Sequence, residues 1–281
     1  MKIGYLGPKG TFTYFALTLA YGETVELVEK LSLDRLFDSL ISTEVDAIFC
    51  PFENSIEGPV NRVLDRLTHS DHFEINDMVT MQINQSILAK QTINYSDVDH
   101  IISMPHAIAQ CYAFIQKNCP QAKIHHSSST AGAVTMINSL NLPDDRTIII
   151  GHEGISSFNS IKVLESNVQD QKENVTHFCL IKPTTAESKL HNETSVILSF
   201  STHRDIPGSL LNVLEIFKEY NINLTKILSR PEKSTLGSYI FYVEFEINLD
   251  LINLNAMLES ISQHTLFLKQ LGIYKVKRIN D

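Results

Sequence analysis

The sequence predicts a two-part α/β protein: a longer region of alternating strands and helices, then a shorter ferredoxin-like region. Three observations carry the prediction. Strand-like and helix-like segments alternate through the first two-thirds of the 281 residues. A polar stretch without periodicity, Pro183–Glu193 (PTTAESKLHNE), interrupts the pattern. Beyond it the order is strand-helix-strand-strand-helix-strand. Length alone gives a prior of about two domains, and a composition 43% hydrophobic and 20% charged supports a sizeable core.

The elements follow in order. Lys2–Gly7, Val25–Glu29 and Val45–Phe52 are apolar enough for strands, and Leu33–Ser42 is helical between the last two. Val60–Leu67 reads as a helix. Phe73–Lys90 alternates apolar and polar residues, which predicts an extended, half-exposed strand. His100–Met104 is a strand, and Pro105–Asn118 a helix with proline in its first turn. Ile124–Ser127, helix Thr130–Leu140, strand Arg146–Gly151 and a short helix follow. This alternation predicts mostly parallel sheets with ligands near the strands' carboxyl ends. After the polar stretch come strand Thr194–Phe200, helix Gly208–Tyr220, strands Ile222–Leu228 and Tyr239–Ile247, helix Leu251–Gln263 and strand Phe267–Val276.

Composition excludes several functions. A formal charge of −9 argues against a nucleic-acid or anionic-membrane partner. No apolar run reaches membrane-spanning length. MKIGYLGPKG lacks the apolar core of a signal peptide, so none is expected. Cys50, Cys111, Cys119 and Cys179 form no C-x-x-C pair and sit in apolar runs, which predicts buried thiols and a cytoplasmic setting.

The polar motifs each admit two readings. Gly4–Thr11 (GYLGPKGT) has neither dinucleotide nor P-loop glycine spacing. It predicts a tight strand-to-helix turn with Thr11 as cap, or a helix start that holds a carboxylate. PFENSIEG, at Pro51–Gly58, is either a capped loop or a ligand contact at a strand's carboxyl end. His125 and His126 are adjacent, so on a strand they face opposite ways. No metal site is expected there, and the hydroxyls of Ser127–Thr130 read as helix capping with room for an anion. No G-x-S-x-G elbow is present. Pro207-Gly208-Ser209-Leu210 opens a helix with bare N–H groups, and Leu228-Ser229-Arg230-Pro231 ends a strand. Together they could clasp an amino acid's carboxylate, or be a capped helix and a proline-stopped edge strand.

Taken in order, GPKGTFT (Gly7–Thr13), PFENSIEG, AQC (Ala109–Cys111), SSTAGA (Ser128–Ala133), NVTHF (Asn174–Phe178), PGSL and LSRP resemble the prephenate dehydratase family with a C-terminal ACT regulatory domain. The resemblance covers essentially the whole chain. It implies a catalytic region, residues 1–182, of two lobes like a type II periplasmic binding protein. Lobe one would take about 1–76 and 167–182, and lobe two about 77–166. A linker at 183–193 and an ACT domain at 194–281 complete it. The implied reaction removes carboxylate and hydroxyl from prephenate to give phenylpyruvate, with no cofactor. Thr176 is implied as the essential threonine; a hydroxyl is too weak an acid to donate its proton freely, so its expected role is hydrogen bonding to, or proton relay toward, the leaving hydroxyl, with Glu53, the nearest motif carboxylic acid, as the expected proton source. Thr11, Asn54, Ser55, Ser128, Ser129, Thr130, Asn174, His177 and Phe178 are the implied substrate contacts. Pro207, Gly208, Ser209, Leu210, Leu228, Ser229, Arg230 and Pro231 are the implied phenylalanine site.

The chain departs from the family's pattern at several positions. His177 stands where the family has Arg, exchanging a permanent forked donor for a titratable one. It either faces the cleft or, by strand alternation, turns away from Thr176 as a structural residue. Pro59 and Ser209 replace the usual Ser/Thr and Ala. Leu228 replaces a Glu, which puts the strength of phenylalanine inhibition in question. The resemblance further implies pairing through ACT domains into a dimer or tetramer. With the first strand at the N-terminus, no fused chorismate mutase is expected. Arogenate dehydration, or a catalytically weak amino-acid sensor, are the alternative functions.

Overall fold

The computed structural model describes residues 1–158, 160–184, 193–203, 206–232, 238–248 and 252–279. In chain order the elements are β1 (Lys2–Leu6), α1 (Phe12–Tyr21), β2 (Glu26–Lys30), α2 (Leu33–Ile41), β3 (Ala47–Asn54), β4 (Gly58–Pro59), α3 (Asn61–Thr68), β5 (Phe73–Gln82) and β6 (Ser86–Ala89). Then come β7 (His100–Ser103), α4 (Pro105–Gln110), α5 (Tyr112–Asn118), β8 (Lys123–His126), α6 (Thr130–Ser139), β9 (Thr147–Gly151), β10 (Lys162–Glu165) and β11 (Val175–Pro183). The last are β12 (Glu193–Ser201), α7 (Ser209–Glu219), β13 (Leu224–Pro231), β14 (Tyr239–Asn248), α8 (Leu254–Ser262) and β15 (Phe267–Ile279). Among the described residues no helix is long and apolar enough to cross a membrane.

The chain divides into two compact units. One gathers Met1–Val60, Thr80–Phe178 and Arg278–Asp281; the other gathers Asn61–Val79 and Cys179–Lys277. The boundary thus falls inside β5 and β11.

The first unit holds two sheets. In one, β1 lies between β2 and β3 with parallel pairing on both sides. In the other, the order is β10-β6-β9-β7-β8. The isoleucine run 148–150 is buried on both faces of that second sheet. Ile148 and Ile150 pack with Ala107, Cys111 and Ile115 of the α4–α5 side. Ile149 packs with Ala133 and Ile137 of α6.

Three expectations change here. The second sheet is mixed: β7 pairs in parallel with β8 and β9, but β6 is antiparallel to both β9 and β10. Phe73–Lys90 is two strands rather than one, interrupted at 83–85, and all of Ser86–Ala89 is buried. The alternation read as half-exposed holds only up to Gln82. The helix expected over Pro105–Asn118 breaks at Cys111 into α4 and α5. The strand β10 has no counterpart in the sequence reading.

The second unit has the sheet order β13-β14-β12-β15-β5, with β12 antiparallel to both β14 and β15 and β13 antiparallel to β14. With α7 and α8 between the strands, this is the ferredoxin-like arrangement. One face carries the core, where Val213, Ile216 and Phe217 of α7 and Met257 and Ile261 of α8 meet Val196, Leu198, Val243 and Phe245. Gly272 lets β15 pass β5 closely, since a Cβ there would stand 2.5 Å from the Ile75 carbonyl oxygen. Most of the expected linker and the expected helix start at Leu251 lie outside the described residues.

Candidate active site

In the first unit the ends of β3 and β11 are stitched together. Ser55 N–H donates to Val175 O at 2.9 Å, and Val175 N–H donates to Ser55 Oγ at 3.0 Å. The Ser55 hydroxyl spends its own proton on Glu173 O at 3.3 Å. Its role is therefore to hold two strand ends together, which brings Asn54, Asn174 and Thr176 into contact.

Those contacts have a direction that follows from two backbone groups. Asn54 Oδ1 accepts from Ile56 N–H at 2.9 Å and Glu57 N–H at 3.0 Å, so that atom must be the oxygen. Its Nδ2 then donates to Asn174 Oδ1 at 2.7 Å and to Thr176 Oγ1 at 2.8 Å. Asn174 Nδ2 in turn donates to Gln110 Oε1 at 3.1 Å. Gln110 Oε1 also accepts from Gln85 Nε2 at 3.2 Å. Every amide in the series is oriented by the one before it.

Two consequences bear on chemistry. Thr176 Oγ1 is an acceptor for Asn54, which leaves its O–H as a donor toward other groups. Gln110 has its oxygen occupied twice, which leaves its Nε2 able to donate elsewhere, and the residue lines a small pocket of about 170 Å³. That pocket is also lined by Ile56, Glu57, Ala109, Asp170 and Gln171.

The α4–α5 break belongs to the same construction. Asp170 N–H donates to Gln110 O at 2.7 Å, and its carboxylate accepts from Ala113 N–H at 3.2 Å. Electrostatically the surroundings are neutral to acidic. Burial pushes His106 down, with the Glu57 carboxylate opposing. Burial, helped by Asp170, pushes the Cys111 thiol up to about 12. All four cysteines are buried, as expected, and none is in a disulfide.

The remaining site residues are placed as follows. Thr11 caps α1, accepting from Tyr14 N–H at 3.4 Å. Ser129 caps α6, accepting from Gly132 N–H at 2.9 Å. The two helix starts approach each other: Gly10, at φ +89°, would carry a Cβ 3.0 Å from Ile155 Cγ1 and 3.7 Å from Ala131 Cβ. Glycine is required there by conformation as well as by space. Ser128 is exposed, whereas Thr130 is 1% exposed with its Oγ1 unpartnered and its methyl against Gly151. Glu53 sits one residue before Asn54 and pairs with Pro59, so the strand's period of two turns it to the opposite face. His177 Nδ1 lies 2.9 Å from Thr80 Oγ1, while its neighbours Thr176 and Asn174 join the amide series. Phe178 is buried and stacks on Phe49 with centroids 5.7 Å apart, a core contact. His125 meets His100, with Nε2 and Nδ1 3.1 Å apart, away from these groups in sequence and sheet.

In the second unit, Gly208 caps α7 at φ +86° without a side-chain bond, and Ser209 Oγ donates to Ile206 O. Pro207 is exposed and Leu210 packs against the core. Leu228, Ser229, Arg230 and Pro231 form the end of β13, opposite 239–242 of β14. Arg230 Nη1 donates to Asp65 Oδ1 at 2.8 Å and to Asn61 O at 3.3 Å.

The sequence reading missed Gln110, Gln85 and Asp170. Gln110 had a signal, a lone amide between Ala109 and Cys111 in an apolar helix. Gln85 and Asp170 had none, because only the folded crossings bring them to it.

Comparison with known proteins is consistent with this geometry. Residues 3–186 match the prephenate dehydratase family. A prephenate dehydratase of Bacillus subtilis is 30% identical over 98% of this chain and 99% of its own length. The solved prephenate dehydratase from Arthrobacter aurescens, in complex with L-Phe, superposes with a TM-score of 0.85 at 26% identity, over 98% of this chain and 89% of that one. The enzyme from Staphylococcus aureus gives 0.83 at 26% identity, over 98% and 100%.

Proposed function

The chain belongs to the prephenate dehydratase family, and on that premise we propose that the amide series around Thr176 is its dehydration site. The enzyme is a hydro-lyase of phenylalanine biosynthesis. Prephenate loses its ring carboxylate as carbon dioxide, the bonding pair enters the ring, and the ring C–O bond breaks. The departing hydroxide takes a proton and leaves as water. Aromatisation drives the reaction, so the protein's task is to orient a dianion and stabilise the leaving oxygen.

The observation that carries the assignment is the 2.8 Å bond from Asn54 Nδ2 to Thr176 Oγ1. It makes the threonine hydroxyl a donor by default, aimed with no reorganisation at the moment of bond cleavage. One preorganised donor of this kind contributes about 2.7–4 kcal/mol to lowering a barrier. Gln110 Nε2 supplies a second neutral donor. The starts of α1 and α6, capped by Thr11 and Ser129, offer N–H groups and positive dipole ends for the carboxylates. Glu53, turned to the opposite face of β3 from Asn54, is not assigned the net proton. His177 is assigned to holding β11 on Thr80.

Regulation is proposed for the second unit, as an ACT domain at 194–281 joined through a linker to the catalytic region. The L-Phe complex of the Arthrobacter aurescens relative supports it. In this reading phenylalanine binds at Pro207–Leu210 and Leu228–Pro231 between paired chains of a dimer or tetramer. Its carboxylate competes with Asp65 for Arg230. Inhibition requires that the effector bind the less active state more tightly. Four buried cysteines outside any disulfide suit a cytoplasmic enzyme.

The test is a single assay series. Purified protein is given prephenate or arogenate, with and without L-phenylalanine, and phenylpyruvate or phenylalanine is followed. Turnover of prephenate, reduced by L-phenylalanine, is expected. Exclusive turnover of arogenate would reassign the substrate. A correctly folded Thr176→Ala protein with unaltered kcat would remove Thr176 from the mechanism.

A further inference from the structure

Gln85 lies where the outgoing and returning crossings of the first unit touch. It is the last residue of the break between β5 and β6, and its side chain is fully buried. Its backbone is tied to the return segment on both sides: Gln85 N–H donates to Gln169 Oε1 at 2.9 Å, and Val168 N–H donates to Gln85 O at 2.9 Å. Its side chain makes one bond, Nε2 to Gln110 Oε1, and leaves its own Oε1 buried without a partner. A buried amide with an unmet oxygen is costly, so packing does not favour glutamine over methionine at this position. What the amide supplies is a second donor on the oxygen of Gln110.

We propose that Gln85 is a positioning residue for the dehydration: with Asn174, it holds Gln110 in the orientation that turns Nε2 toward bound substrate. The inference rests on the reading of the amide series as the dehydration site. Asn174 alone leaves Gln110 one donor on its oxygen. Two donors make the flipped orientation untenable, because flipping would set the Gln110 Nε2 against both of them.

Gln85→Glu is the diagnostic variant. In Gln85→Glu an ionised carboxylate offers only acceptors to Gln110 Oε1, so Gln110 flips and shows the substrate an oxygen. When that buried carboxyl is protonated, its O–H replaces the lost amide donor. Activity of the variant therefore rises as pH falls through the carboxyl's pKa, a limb absent from the parent. Gln85→Met removes the donor without imposing the flip. Ser86→Ala, at the next residue and the first of the buried strand β6, controls for disturbance of β6.

Kinetics with prephenate are measured from acid to neutral pH, together with melting temperatures. At neutral pH we expect kcat to fall about 100-fold in Gln85→Glu and about 10-fold in Gln85→Met, with KM changing less. The Glu variant recovers in acid and the Met variant does not. Equal, pH-independent losses in the two, or no loss in either, would overturn the proposal. A second readout needs no turnover: the side-chain amide NMR signal of Gln110, assigned by its disappearance in Gln110→Glu. It should move in Gln85→Glu and stay in Ser86→Ala. An unmoved signal in Gln85→Glu overturns the positioning role. A moved signal in a protein inactive on prephenate upholds it and removes the functional reading instead.

Discussion

Around Thr176 the side chains that fix one another are Asn54, Asn174, Gln110 and Gln85, all neutral and largely buried. In the second unit the corresponding work falls to ion pairs: Arg230–Asp65 at 2.8 Å, Lys269–Asp71 at 3.2 Å and Lys277–Asp77 at 2.9 Å. The amides must each face one way, so a single error propagates to the Thr176 hydroxyl. The ion pairs have no such polarity to transmit. They attract over a distance, tolerate rearrangement, and weaken with salt. A site that must present donors without net charge is built from the first kind. Under the proposed regulation, a region that would exchange one carboxylate for another is served by the second.

The sharpest way to break this comparison is Asn54→Asp. Its second oxygen would face Asn174 Oδ1 and draw the Thr176 proton onto itself, leaving the leaving group without a donor. We expect kcat to fall about 10³-fold, the upper range for loss of one such donor. A fall under tenfold, measured with prephenate on folded protein, would dissolve the argument from orientation. Next in size is Arg230→Gln, which leaves Asp65 without its guanidinium. Both partners are 19% exposed, so the loss is less than for a fully buried pair. Urea unfolding should show about 1–2 kcal/mol of destabilisation.

A smaller effect is expected in alkali. Burial raises the Cys111 thiol from 9.0 to about 12 in the folded protein. A raised folded value means the thiol's contribution to stability is whole below pH 9 and is lost progressively as pH climbs toward 12. Denaturation midpoints should fall across that interval, and native protein at pH 8 should resist thiol alkylation. The smallest effect belongs to salt. At 1 M, where charges are screened beyond about 3 Å, the exposed Lys277–Asp77 pair loses a few tenths of a kcal/mol. Oriented neutral bonds are indifferent to it. A kcat that follows ionic strength as stability does would blur the distinction between the two regions.

Much of this was legible in the residues. Hydrophobic periodicity located most strands and helices, because each of those segments buries one predictable face. The β-α-β-β-α-β order anticipated the second unit's sheet. The mixed sheet was not legible, since the direction of β6 depends on where a crossing returns. Nor was the break at Cys111, where apolar spacing continues without a glycine or proline. Asn54, Asn174 and Thr176 stood out as polar groups at strand ends. Ser55 was assigned to substrate, but its proton proves to be committed to Glu173 O. His177 and Phe178 illustrate the limit of motif reading: strand geometry gives one a partner on Thr80 and the other a stacking place on Phe49. Gln85 was invisible because 25 residues separate it from Gln110.

The break between α4 and α5 has a consequence for how this chain tolerates change of length. In an unbroken helix the Gln110 carbonyl would be taken by the N–H of Phe114. Here it receives Asp170 N–H instead, and the same return segment is fastened at Val168, Gln169 and Asn174 as well. Surface connections usually absorb insertions and deletions readily. This one is a ruler between the two sheets of the first unit: adding or removing a residue between Val168 and Val175 shifts every fastening at once, and shifts Thr176 with them.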